Sequence, residues 1–327
     1  MASLSPLLSA FGPIWALTAV GYLVGRTGAL GEHAEDVLGR FVFQVAMPAA
    51  LFTMTARTPL GSFANASMLA FAVGTVLACL LGVAVSRWAF GRRPAEQAIG
   101  GMAAGYVNSA NLGIPVAVQV LGDATFIAPV LLFQVLVVTP VILSVLEALT
   151  GRGLSADATS AGTARGGART ARVLLLPLRN PIILASGLGC LVSLSGRHLP
   201  TVLAHPCELL GGAGVPTALI VLGMSLHGRR AGAGVGLPAE VGASVVIKTL
   251  VQPLAAFTAG SLLLHLPAHQ LLAVVVCSAL PTAQNVFIYA RQYELSTVLA
   301  RDSVLYSTLL SMATISAAAW SLGAAQH

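Results

Sequence analysis

The chain has 327 residues, 56% of them hydrophobic and 9% charged, with 17 Lys plus Arg, 11 Asp plus Glu and a formal net charge of +6; its mean hydropathy is +0.86. So few charges cannot clothe a water-soluble domain, in which about a quarter of residues are charged, and the chain must therefore face lipid. The cations lie singly or in pairs between apolar runs, without the basic stripe or aromatic platform that nucleic acid requires, so nucleic acid is not expected as a partner.

A bilayer core about 30 Å thick needs about 20 apolar residues per helix. In chain order, runs of that length fall at 4–25, 36–56, 67–90, 98–122, 125–149, 173–194, 201–226, 239–264, 268–290 and 296–321. The first lacks a basic leader segment and approaches span length, so it reads as a retained span. One connection is long: 150–172 is rich in Gly, Ala, Ser and Thr and carries Arg152, Arg165, Arg169 and Arg172, the composition of a polar linker. It divides the chain into a first five-helix repeat (1–149) and a second (173–327). The expected fold class is therefore an all-α membrane protein of ten transmembrane helices. Cys79, Cys190, Cys207 and Cys277 sit inside apolar runs with no paired spacing, which makes them packing residues.

Counting Arg in alternate connections gives thirteen on one side, from Arg26 to Arg301, against Arg57 and Arg197 on the other. By the positive-inside rule the Arg-rich side is cytoplasmic, with the linker inside and both termini outside. The halves also match at a fixed offset. Gly12-Pro13-Ile14 corresponds to Asn180-Pro181-Ile182, and Met47-Pro48 to Val215-Pro216, each pair of prolines 168 residues apart (181 − 13 and 216 − 48). Because each half holds an odd number of spans, the halves run in opposite senses: a 5+5 inverted repeat, the architecture of secondary transporters.

Spans four and nine carry the densest polar content, in Asn108-Ser109-Ala110-Asn111-Leu112-Gly113-Ile114-Pro115 and Pro281-Thr282-Ala283-Gln284-Asn285. A proline inside a helix removes one hydrogen bond and clashes one turn back, so Gly113 with Pro115, and Pro281, are expected to break these helices near mid-membrane. Interrupted helices at matching places of two halves point to a transport site. For either span alone, the amides of Asn108, Asn111, Gln284 and Asn285 are read as repairing a kinked backbone; for two related spans the substrate site is the preferred reading. Lys248, the one Lys of the chain, is placed about 13 Å deep on helical rise. An intramembrane charge is functional by default and needs a partner. Lys248 is read as neutralising half-helix C-termini or as attracting an anion, and alternatively as a structural ion pair with Glu208 or Asp302. Neither polar segment holds an acid, and Glu147, Glu208 and Asp302 lie near span ends, so coupling is left open. There is no HExxH or GxSxG motif; no enzyme, cofactor or metal site is expected.

At these residues the chain resembles the auxin efflux carrier family, which includes bacterial permeases assigned to malonate and malate and the plant PIN auxin exporters. The likeness rests on Asn108 to Pro115, on Leu222-Gly223-Met224-Ser225, on Leu280 to Val286, and on Asn180-Pro181 and Lys248 to Pro253, in order along nearly the whole chain. It implies a fold like that of bile acid and sodium/proton transporters. Spans 1, 2, 6 and 7 would form a scaffold and spans 3–5 and 8–10 a moving transport domain, with spans four and nine crossing at Pro115 and Pro281. The implied substrate is a small organic anion, a mono- or dicarboxylate bound near Asn108, Asn111 and Asn285. With Gln284 and Lys248 from the reading of the residues, these are the expected substrate-binding groups; the other partner is the lipid bilayer of the cytoplasmic membrane, and a homodimer is left open. The short linker departs from the long regulatory loop of the plant exporters, and Glu208 stands where an apolar residue is expected. A sodium-coupled symporter of bile-acid type, and a non-transporting sensor or scaffold, stay open as alternatives.

Overall fold

In lipid, a backbone must satisfy its own N–H and C=O groups, and a helix does so within one segment. The computed structural model describes residues 4–57, 65–122, 125–150, 180–196, 199–227 and 238–323, the side chains of 4–11, 114, 115, 119 and 323 excepted. Among the described residues the protein is all-helical. In chain order the helices are α1 (Leu4–Thr27), α2 (Ala34–Arg57), α3 (Ala66–Trp88), α4 (Pro94–Gly105), α5 (a π turn, Ser109–Gly113, continued by Ile114–Leu121) and α6 (Ile127–Thr150). There follow α7 (Pro181–Leu194), α8 (Thr201–His227), α9 (Ala239–Leu263), α10 (Ala268–Ser278), α11 (Asn285–Gln292) and α12 (Thr297–Gly323). Six of them, α2, α3, α6, α8, α9 and α12, are long and apolar enough to cross a membrane. From residue 151 onward the expected linker lies outside the described residues.

Local sequence explains several boundaries. Asn65 opens α3 by accepting the Met68 N–H at 2.8 Å, and Asn180 opens α7 by accepting that of Ile182 at 3.0 Å, each satisfying an orphan donor of a first turn. Pro181 follows Asn180 at the position where a missing N–H is harmless. Three long helices contain π segments: Val42–Ala46 in α2, Gln134–Val138 in α6, and Ile247–Val251 and Ala259–Leu263 in α9. Such bulges recur at functional sites, and here two of them carry Gln134 and Lys248.

Helix association in lipid depends on close packing, which small residues permit. The helix α1 lies on α8, α2 on α7 and α8, α3 on α4 and α9, α4 on α6 and α12, and α10 on α9 and α12. At Gly223 of α8, a Cβ would stand 2.1 Å from the Thr18 carbonyl oxygen of α1; at Gly105 of α4, 2.3 Å from Cys79 Sγ of α3. A larger residue at either place would force the pair apart. All four cysteines are free thiols. Glu208, out of place in the apolar run, is explained by an ion pair with Arg57 that joins α8 to α2. Arg92 binds Glu240 at 2.6 Å, Arg291 binds Glu35 and Asp36, and Arg301 binds Asp302 at 2.8 Å while donating to the Ser225 carbonyl at 3.0 Å.

Candidate functional site

Two half-length helices, α4 and α10, end inside the protein at Gly105 and Ser278, and the segments beyond them pair. Val107 and Thr282 form an antiparallel bridge. Asn108 N–H donates to the Pro281 carbonyl at 2.8 Å and Ala283 N–H to that of Tyr106 at 3.1 Å. The Thr282 hydroxyl donates to the Ala103 carbonyl at 2.7 Å, and its N–H donates to Ser307 Oγ at 3.0 Å. Unwound backbone is thus satisfied by protein, the condition for tolerating it in a membrane.

The interruption between α4 and α5 is displaced from its expected place. It falls at Tyr106 to Asn108, and the paired Val107 precedes Pro115 by eight residues (115 − 107). Pro115 instead lies inside α5, directly after the π turn Ser109–Gly113, where the chain stays helical on both sides of it; it is not where the chain unwinds. Gly113 closes the preceding π turn and is buried. Pro281 does lie within the non-helical segment between α10 and α11.

The carbonyl ends of the two half-helices meet one cation. Lys248 is fully buried, at 0% exposure. Its Nζ donates to the Ser278 carbonyl at 2.9 Å and to Gln252 Oε1 at 2.6 Å. Gln252 Nε2 in turn donates to the Gly105 carbonyl and to Thr75 Oγ1, both at 3.1 Å. Helix C-termini carry partial negative charge, so Lys248, directly and through Gln252, neutralises both. The ion-pair reading is overturned: Glu208 is bound to Arg57 and Asp302 to Arg301.

On the other side of the interruptions, where α5 and α11 begin, lies a small cavity of about 30 Å³. It brings together Asn108, Gln284 and Asn285, and adds Tyr106, Ser109 and Gln134, with Leu51 of α2 among its apolar walls. Its lining holds no ionised side chain. Ser109 Oγ donates to Gln134 Oε1, and Gln134 Nε2 donates to the Val107 carbonyl at 2.8 Å. Asn285 lies beside the Tyr106 hydroxyl, which shares a 2.8 Å hydrogen bond with Thr139 Oγ1. Gln284 Oε1 is buried without a partner. Asn111 and Lys248 do not line this cavity: Lys248 is turned to the helix ends, and Asn111 Nδ2 is buried nearby in α5 without a partner. The Pro115 side chain lies outside the described residues. Sequence reasoning missed Tyr106, Ser109 and Gln134. An amide in the apolar run Leu131 to Val138 is the signal that marks Gln134.

A family model described as membrane transport protein matches residues 7–319. Over 313 residues the chain is 28% identical to a Rhizobium meliloti protein named "Putative malonate transporter", covering 93% of this chain and 92% of that one. It is 23% identical over 299 residues to the Escherichia coli "Uncharacterized transporter YfdV", covering 91% of each, and 27% identical over 306 residues to an "Uncharacterized transporter" of Methanothermobacter thermautotrophicus, covering 92% and 94%. With a match that runs from the first helix to the last, the chain belongs to the membrane transport protein family, that of the auxin efflux carriers.

Proposed function

We propose that the protein is a secondary carrier for a small organic anion, a mono- or dicarboxylate, which it moves across the cytoplasmic membrane by alternating access. The observation that carries this reading is the pairing of two interrupted helices beside a cavity lined by the uncharged amides of Asn108, Gln284 and Asn285. Amide and hydroxyl donors at the starts of α5 and α11 suit a carboxylate, because helix N-termini carry partial positive charge. Neutralised C-termini behind them, held by Lys248, leave the site with a net positive field. Asn111, with an unpartnered buried donor, is a further ligand once the cavity widens. At about 30 Å³ the void holds a water or two and must open before a carboxylic acid enters.

In this reading the chain has ten spans in a 5+5 inverted repeat, α4 with α5 and α10 with α11 forming the crossed fourth and ninth. Spans 1, 2, 6 and 7 (α1, α2, α7, α8) act as scaffold, and spans 3–5 and 8–10 as the moving body. The packing of α1 on α8 and of α2 on α7 and α8 supports that division. The Arg-rich connections are cytoplasmic and both termini extracytoplasmic. Similarity to a protein named as a malonate transporter favours a dicarboxylate. The test is counterflow of labelled malonate, malate and indole-3-acetate in proteoliposomes of the purified protein. At least one saturable carboxylate flux is expected, and none across the panel would sink the reading.

A further inference from the structure

Three acids of the described residues are buried: Glu147 at 8% exposure, Glu240 at 7% and Asp302 at 0%. Glu240 is held by Arg92 and Asp302 by Arg301. Among the described residues, Glu147 has only neutral donors. Its Oε1 accepts from Asn180 Nδ2 at 2.8 Å and from the Tyr293 hydroxyl at 3.2 Å. Its Oε2 is buried and has no partner among the described residues. The orientation of Asn180 is fixed, since its Oδ1 is occupied by the Ile182 N–H; it can only donate to Glu147. A buried carboxyl with one oxygen satisfied and the other empty is a seat for a cation or a proton.

A line of polar groups joins this carboxyl to the candidate substrate cavity. Thr139 and Glu147 lie eight residues apart on α6 (147 − 139), and Asn285, Tyr289 and Tyr293 recur at four-residue spacing along α11 and just beyond it, so each set shares a helix face. Asn285 adjoins Tyr106, Tyr106 is bonded to Thr139 at 2.8 Å, and Tyr289 lies beside Thr139 with its hydroxyl buried and unpartnered. Phe43 of α2 packs edge-on against both Tyr289 and Tyr293, at 5.7 and 6.3 Å, and seals the line from that side. The ionisable groups on the packed elements are otherwise occupied or turned away. On α11, Arg291 is bound to Glu35 and Asp36 of α2. On α4, Glu96 faces the Arg92 and Glu240 corner. On α2, Arg40 lines a separate cavity with Asp36 and Arg291, and Arg57 is bound to Glu208. The helix α7 brings only Cys190.

We propose that Glu147 is a proton-binding site that couples the carrier to a pH gradient. The inference rests on the transport reading above, in which Glu147 and Tyr293 ride on the moving body while Asn180 caps a scaffold helix. A proton leaves water on one face, binds Glu147 Oε2, travels with the anion and is released to water on the other face, so the step is symport and no other bond changes. Movement of the body separates Glu147 from Asn180, its shortest donor, and an added proton removes the charge that this separation strands.

The test uses purified protein in proteoliposomes with the membrane potential clamped to zero. Wild type is expected to accumulate labelled carboxylate about tenfold for a gradient of about one pH unit, the limit for one coupled proton. The pH-driven accumulation ratio should fall close to one in Glu147→Gln, with counterflow retained, and be largely kept in Glu147→Asp. A Glu147→Gln protein that still accumulates as wild type does, or a wild type driven by Na⁺ and indifferent to pH, overturns the proposal. Infrared difference spectra in detergent supply a readout without substrate. A protonated-carboxyl band that appears on acidification in wild type and is missing in Glu147→Gln supports the site, and its persistence in the variant overturns it. Should that band behave as expected while no carboxylate is moved, the transport reading falls and the proton site stands. Tyr293→Phe, which keeps the ring packing against Phe43, guards against misfolding of Glu147→Gln by perturbing the same band.

Discussion

Lys248 and Glu147 are two buried charges that face the same difficulty and meet it differently. Neither has a partner of opposite charge among the ion pairs of the described residues. Lys248 is wrapped by dipoles: the Ser278 carbonyl, Gln252 and, through Gln252, the Gly105 carbonyl. Glu147 has its donors on one oxygen and leaves the other empty. The cation therefore belongs to the architecture, since two helix ends lean on it, and the acid is the group with a vacancy to fill. Burial alone does not distinguish the two; the completeness of the hydrogen bonding does.

The largest effect is expected at Lys248. Lys248→Met should lower unfolding free energy in detergent by about 2–5 kcal/mol, because the Ser278 carbonyl and Gln252 Oε1 both lose a buried donor. It should abolish flux as well. Unchanged thermal unfolding with only weakened substrate affinity would return Lys248 to the substrate site and break the contrast.

Next in size is the loss of flux at the cavity. Asn108→Ala and Asn285→Ala should each reduce carboxylate transport at least about tenfold, the worth of one hydrogen bond to a charged ligand, with insertion and melting close to wild type. Near-normal flux in both variants would remove the amides from the site.

Glu147→Gln sharpens the comparison from the other side. Its stability in detergent should stay within about 1 kcal/mol of wild type, because the amide oxygen can still accept from Asn180 and Tyr293. A loss as large as that of Lys248→Met would make Glu147 architectural too. The smallest effect is expected at Arg57→Gln, where the paired side chains are 61% and 39% exposed. Such a pair contributes about 0–1 kcal/mol, and salt should shrink even that.

Hydropathy located the apolar runs, because span length is a local property that lipid thickness dictates. Helices α2, α3, α6, α8, α9 and α12 fall on the second, third, fifth, seventh, eighth and tenth expected runs, with ends shifted by at most a few residues. The amide-rich segments were legible for the same reason: Asn108, Gln284 and Asn285 stand out against apolar neighbours. Pro115 misled because a proline that follows a π turn can be carried within a helix, while the unwinding falls at Tyr106 to Asn108, where the chain pairs with Pro281 to Ala283.

What the sequence determined by itself is the lipid-facing class, the apolar runs, the Arg asymmetry between the connections and the polar segments where chemistry is concentrated. All of these follow from composition and spacing along a short stretch. Tertiary structure decided where the helices stop, since Val107 meets Thr282 across 175 residues (282 − 107). It also decided that Lys248 serves two carbonyl ends, and that Glu147 shares its carboxyl with Asn180 and Tyr293. A buried charge takes its role from the dipoles brought to it, and those come from helices far apart in the chain.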